Sequence, residues 1–253
     1  MVVNKIANIV LEEVSIDYPI HNASSSSLKN KVLSRLTGGL IDRPYDQHLI
    51  VHALRNVSLE IKHGDRVGIV GHNGSGKTTL LRLLSRIYHP TSGYANIKGK
   101  VTPLINISLG IDPEATGREN IILRAALLGI PASEIKQLME EIIDFTNLHH
   151  YIDVPFRVYS TGMQLRLAFA VSTIIKPEIL IMDEWLATGD NDFKDKANQR
   201  LKKIVDDSEI LILASHSREL IKENCNKLII LEQGQVKAYG KTDELINTYF
   251  HLG

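Results

Sequence analysis

The sequence predicts an α/β domain built on a parallel sheet, with a mostly helical segment inserted into it. Two fully apolar runs carry the first half of that prediction: Ile179–Met182 (ILIM) and Ile210–Ala214 (ILILA). A strand covered by helices on both faces reads this way, because neither face meets water. Short β-type runs also alternate with helical stretches along the chain, the pattern of α/β folds. The inserted segment is read from Arg118–Ile174, which is helical in pattern with one break near Asp153–Tyr159.

Taken in order, strands are expected at Ile9–Ile16, Val57–Ile61, Arg66–Val70, Ile179–Met182, Ile210–Ala214 and Lys227–Leu231. Helices are expected at Lys77–Ile87, Gly117–Leu128, Ser133–Phe145, Ser160–Ile174, Phe193–Val205 and Asp243–Phe250. Thr116 followed by Glu119 has the spacing of a capping box and marks a helix start. The stretch Tyr18–Ile50 fits neither pattern. Within it Leu28, Val32 and Leu36 share one helical face, with Lys29, Lys31 and Arg35 around the rest. Two readings stand: a surface excursion lying on the domain's own core, or an amphipathic helix offered to a membrane or membrane protein.

Composition narrows the class. The chain has 253 residues, 43% hydrophobic and 23% charged, enough for one or two domains with a core needing neither disulfides nor metal. Lys+Arg and Asp+Glu are 29 each, so there is no basic surplus and no nucleic-acid partner is expected. The single cysteine, Cys225, excludes an internal disulfide framework and a thiolate zinc cage. No apolar run reaches the ~18 residues of a membrane span. Glu12 and Glu13 come too early for a signal-peptide core, so a cytoplasmic location is expected.

The strongest motif follows the strand Arg66–Val70. Gly71-His72-Asn73-Gly74-Ser75-Gly76-Lys77-Thr78-Thr79 fits G-x-x-x-x-G-K-[ST] between a strand and a helix. The glycines let the backbone wrap a polyphosphate with its N–H groups inward. The helix start at Lys77 adds its positive end. Lys77 supplies a cation for the β and γ phosphates, and the Thr78 hydroxyl is placed to ligand Mg²⁺. The loop alone implies a nucleoside triphosphate and magnesium.

Three further features bear on that chemistry. Ile179–Met182 ends in Asp183-Glu184: one carboxylate for Mg²⁺, the next to orient or deprotonate an attacking water. In isolation the pair reads equally well as solvated acids at a strand end. His216, after the strand Ile210–Ala214, reads either as structural or as a group reaching the γ-phosphate or the water. Ser160-Thr161-Gly162-Met163 opens a helix and makes a second anion-seeking surface. One nucleotide has no need of two such helix starts, whereas a two-fold dimer uses both, each chain covering the other's nucleotide.

With these residues in place the chain resembles the nucleotide-binding subunit of an ATP-binding-cassette transporter, from about Ile6 to Leu245. Gly71–Thr79 is similar to the Walker A motif and Ile179–Glu184 to Walker B. Ser160–Met163 stands at the signature, Ala187–Asp190 at the D-loop, and His216 at the switch histidine. The resemblance implies a P-loop NTPase (RecA-like) core with an antiparallel β subdomain and a helical signature subdomain at about residues 115–176, all in one nucleotide-binding domain spanning 1–253. It implies Glu184, His216 and Lys77 as catalytic groups. Thr78, Asp183 and Asn106 are the implied metal ligands. Tyr18, Asp190, the Gly71–Thr79 loop and Ser160–Met163 are the implied nucleotide contacts. Tyr18 would stack on adenine, though it also reads as a plain strand-end residue.

The chain departs from the family pattern in places. Thr161 and Met163 stand where Gly and Gln are common, and Trp185 where proline is common. No Gln lies between Thr79 and Gln137, so Asn106 or Ser108 takes the Q-loop position. Tyr-Ser-Thr-Gly-Met, Ile111–Asn120 and the Tyr18–Ile50 excursion are similar to exporters of O-antigen, capsule-like and teichoic-acid polysaccharides. That likeness implies an ATPase with ATP and Mg²⁺, paired with a second copy of itself and a membrane permease on the cytoplasmic face of the inner membrane. A lipid-linked glycan would be the cargo. Some members carry a C-terminal carbohydrate-binding domain, and none is expected here. An importer cassette for a small solute is the alternative, and a soluble cassette ATPase a weaker one.

Overall fold

The computed structural model describes residues 6–20, 41–42, 49–105, 110–184 and 191–250. In chain order the strands are β1 (Asn8–Ile20), β2 (Ile41–Asp42), β3 (Leu49–Lys62), β4 (Arg66–Val70), β5 (Ser92–Lys98), β6 (Val101–Leu104), β7 (Ile179–Asp183), β8 (Ile210–Ala214), β9 (Lys227–Glu232) and β10 (Gln235–Lys241). The helices are α1 (Lys77–Leu84), α2 (Gly117–Leu127), α3 (Ala132–Thr146), α4 (Thr161–Ser172), α5 (Asn191–Asp207), α6 (Arg218–Asn224) and α7 (Thr242–Phe250). Contacts divide the chain into two units. One holds residues 1–103, 178–185 and 209–253, the other 104–177 and 186–208.

The first unit contains two sheets, ordered β2-β3-β1-β5 and β10-β9-β4-β8-β7-β6. In the second, β9, β4, β8 and β7 run parallel. Every residue of β8, and all but the last of β7, is buried, which is why these runs are apolar throughout. The parallel register carries Asp183 and Ala214, the last residues of their strands, to the same edge. The first sheet is antiparallel, its long β1–β3 pair running from Asn8↔Lys62 to Ile20↔Leu49. Glu12 and Glu13 are both exposed in the middle of β1. A break in register between Leu11 and Val14, with Glu13 at φ 50°, permits that without turning the buried Leu11 and Val14 outward.

Several elements differ from expectation. β1 runs on to Ile20 and β3 begins at Leu49, so the antiparallel ribbon is longer than its apolar core. α1 stops at Leu84, with Arg86 at φ 58° closing its end. β5 and β10 have no fully buried run to announce them, being half-exposed. α6 buries only Ile221.

The turn between β9 and β10 braces the loop after β4. The Gly234 N–H donates to the Ser75 carbonyl at 2.9 Å, and the Arg55 N–H donates to the Gly234 carbonyl at 2.8 Å. The Arg55 guanidinium also donates to the Gln233 carbonyl, at 2.9 Å from Nη2.

The second unit is helical. Ile121, Met139, Ile142, Ile143, Phe156, Leu167 and Val171 form its core, drawn from α2, α3 and α4 and the short 3₁₀ turn Phe156–Val158. That turn falls in the break expected near Asp153–Tyr159. α2 begins as its spacing predicts. The Glu119 N–H donates to Thr116 Oγ1 at 3.2 Å, and the Thr116 N–H donates to Glu119 Oε2 at 2.8 Å. The unit takes in α5 as well, where Phe193 meets Phe145 edge-on at 5.3 Å between ring centres. Leu28, Val32 and Leu36 of the expected amphipathic helix lie outside the described residues. Among the described residues no helix is long and apolar enough to cross a membrane.

Candidate nucleotide site

The loop Gly71–Gly76 leaves the buried β4 and turns into α1. Its glycines are there for space and for dihedral angle. A Cβ on Gly71 would sit 2.3 Å from the Leu231 carbonyl, and one on Gly76 2.7 Å from the Ala53 carbonyl. Gly76, the residue that caps α1, has φ 105°, a left-handed value costly to side chains. No side chain caps this helix. The first amides of a helix have no intrahelical acceptor, so those of α1 are available to an anion. Lys77 folds back over the loop: its Nζ donates to the Gly71 carbonyl at 2.6 Å and to the His72 carbonyl at 3.2 Å. Burial holds its amine below the usual lysine range, against the opposing pull of Asp183 and Glu184.

The acids stand at the tips of the parallel strands. Burial raises the Asp183 carboxyl above its usual range; Glu184 adds to this, while Lys77, His216 and Arg82 oppose it. Glu184 leaves β7 at φ 68°, a left-handed conformation for a residue with a side chain. Its N–H still donates to the Ala214 carbonyl at 2.8 Å, extending the ladder by one bond. The Ser215 hydroxyl donates to Glu184 Oε2 at 2.9 Å, and the His216 N–H donates to Oε1 at 3.0 Å.

One cleft of 480 Å³ gathers these groups. Asn73, Gly74, Gly76, Lys77, Thr78, Thr79, Asp183, Glu184 and His216 line it, together with Val51, His52 and Ala53 of β3. Gly71 and Ser75 are buried behind it, and His72 packs against the Tyr249 ring at 5.9 Å. Tyr18 lies near Thr79 of α1, and its ring meets Tyr88 edge-on at 5.8 Å. Ser160, Thr161, Gly162 and Met163 belong to the other unit. There Ser160 caps α4, its Oγ accepting from the Met163 N–H at 3.3 Å. Asn106 and Asp190 lie outside the described residues.

Sequence reasoning did not find two contributors. His52 lines the cleft with Nδ1 2.7 Å from Asp17 Oδ1, across the β1–β3 ribbon. Strand pairing, invisible in one dimension, makes that contact. Ser215 precedes the expected histidine and was legible only as its neighbour.

A loop with no room for a Cβ at Gly71 or Gly76, an uncapped helix start and a lysine over the loop fit a polyphosphate. Among the described residues no three His, Cys, Asp or Glu side chains form a metal cage. Thr78 and Asp183 offer one hydroxyl and one carboxylate. That set fits Mg²⁺, which completes its shell with phosphate oxygens and water.

Residues 54–187 match the family model described as ABC transporter. The chain is 42% identical to the O-antigen export system ATP-binding protein RfbE of Yersinia enterocolitica, covering 90% of this chain and 96% of that protein. It is 39% identical to the O-antigen export system ATP-binding protein RfbB of Myxococcus xanthus, over 88% of this chain and 51% of that one. It is 41% identical to the teichoic acids export ATP-binding protein TagH of Lactococcus lactis, over 78% and 42%. The chain therefore spans about half the length of these last two relatives. Among solved structures, a dimeric post-hydrolysis ATP-binding cassette bound to ADP and Pi superposes with a TM-score of 0.65 at 22% identity, covering 92% of this chain and 98% of that one. The ATP-binding subunit of an ABC transporter superposes at 0.67 and 18%, covering 96% and 93%. Likenesses at that identity speak for the fold alone, and the fold is the P-loop cassette. With a family model across more than half of its length and a 42% identical relative spanned almost end to end, the chain belongs to the ABC transporter family, as one of its ATP-binding cassettes.

Proposed function

We propose that this cassette hydrolyses ATP to drive export of a lipid-linked, O-antigen-like polysaccharide through a separate membrane permease. It would work as a pair on the cytoplasmic face of the inner membrane. One observation supports the ATPase half above all: a single cleft lined by Lys77, Thr78, Asp183, Glu184 and His216. The names of the O-antigen and teichoic-acid relatives support the cargo.

The residues divide the work. The α1 amides and Lys77 bind and orient the β and γ phosphates. Thr78 and Asp183 would hold Mg²⁺, which when bound neutralises charge on those phosphates. Glu184 orients the attacking water and takes its proton, as the water oxygen bonds to the γ-phosphorus and the bond to the bridging oxygen breaks. His216 faces the same cleft and stabilises charge on the transferring group. Ser160–Met163 of a second copy covers the nucleotide from outside. ATP binds the closed pair better than the open one, and that difference in affinity moves the permease.

The test reconstitutes the chain with its permease in vesicles and measures phosphate release with ATP and Mg²⁺. Lipid-linked glycan should stimulate it. Stimulation by a small solute instead would turn the cargo assignment toward an importer. Absence of hydrolysis in every condition would remove the ATPase.

A further inference from the structure

The Glu184 carboxylate receives two hydrogen bonds, one on each oxygen, and both come from the residues that follow β8. The torsion about a glutamate's last bond is soft, so one donor leaves the carboxylate plane free to swing. Donors on both oxygens fix that plane. Ser215 is 1% exposed, and its one hydroxyl proton is directed. Its Oγ already accepts from the Ser217 N–H at 3.1 Å, so the proton is left to point at Glu184 Oε2, 2.9 Å away. The His216 N–H belongs to the backbone and survives any substitution there except proline. The serine hydroxyl is thus the side-chain half of the clamp.

We propose that Ser215 is a positioning residue for ATP hydrolysis, holding the Glu184 carboxylate in the plane from which it meets the attacking water. The inference rests on the ATPase reading above and adds a residue to it. Ser215 touches no phosphate in this scheme and acts only through Glu184.

The full chain is assayed with ATP and Mg²⁺. Ser215→Ala should lower kcat roughly ten- to a hundredfold, the scale of a small misplacement of a reacting group, with KM for ATP unchanged. Ser215→Thr, which keeps the hydroxyl, should restore kcat to within about twofold of the wild type, judged on the same scale. In a Glu184→Gln background, adding Ser215→Ala should leave the residual rate unchanged, because the group it orients has gone. A wild-type kcat in Ser215→Ala overturns the proposal. So does a failure of threonine to rescue, or an undiminished effect of Ser215→Ala beside Glu184→Gln. Should the alanine variant not fold, Ser215→Cys keeps the volume with a weaker donor, and an intermediate kcat is then the supporting result. A wild-type chain that turns over no ATP overturns the reading beneath, and this inference with it.

Discussion

Two helix starts in this protein are made in opposite ways. α2 begins with a capping box in which Thr116 and Glu119 satisfy each other's amides. α1 begins at Gly76, in a left-handed conformation and with no side-chain cap. The first arrangement spends its donors on the fold. The second leaves them open on a cleft that also holds Lys77, Asp183 and Glu184. α4 stands between the two, with Ser160 accepting one amide at 3.3 Å while a Cβ on Gly162 would meet only that serine's Oγ, at 4.0 Å. An unsatisfied helix end is a fault in a structural element and an asset in a binding one.

The sharpest way to separate grip from chemistry at the open end is Glu184→Gln. Turnover should fall about 10²–10⁴-fold, the usual worth of a general base. Binding of a fluorescent ATP analogue should persist, because the α1 amides and Lys77 are intact. Wild-type hydrolysis would take Glu184 out of its role.

Gly76→Ala places a Cβ 2.7 Å from the Ala53 carbonyl at φ 105°, so ATP affinity should drop at least about tenfold, the equivalent of 1.4 kcal/mol. Thr116→Ala at the other start should cost about 1 kcal/mol of stability by thermal unfolding, with unchanged turnover per folded molecule. Equal losses of affinity in both would erase the distinction.

The smallest effect concerns Asp183. Burial, first, and Glu184 raise its carboxyl in the folded state. A raised carboxylate costs stability above its folded pKa and nothing below its unfolded one. Asp183→Asn should therefore raise the Tm of the nucleotide-free protein at pH 7–8 by about 2 °C. The gain in Tm should fade as the pH drops through the folded and then the unfolded value. A lower Tm for this variant at neutral pH would show that the acid stabilises the empty site.

How far the molecule was legible follows from which forces write into sequence. ILIM and ILILA announced β7 and β8 because burial on both faces leaves no position free. The Gly71–Thr79 loop was legible because phosphate chemistry restricts its residue types. The edge strands β5 and β10 were not, since half-exposed backbone pairing tolerates SGYANIK and QVKAYGK alike. Within the site, Lys77, Thr78, Asp183, Glu184 and His216 were all named from motif and spacing, and one cleft brings them together. The clamp from Ser215 and the Asp17–His52 pair were not. Each depends on a contact between strands far apart in the chain, and Glu184 reaches its clamp only through a left-handed dihedral that no residue type there signals.

The brace at Gln233-Gly234 has a consequence for biosynthesis. The carbonyl of Ser75 is held by an amide 159 positions later, so on the ribosome the loop waits for that length of further chain before this bond can form. Translation arrested upstream of that turn would leave a nascent polypeptide with its phosphate-binding residues all made and this brace missing. Nucleotide capture would then wait on residues made long after the loop itself.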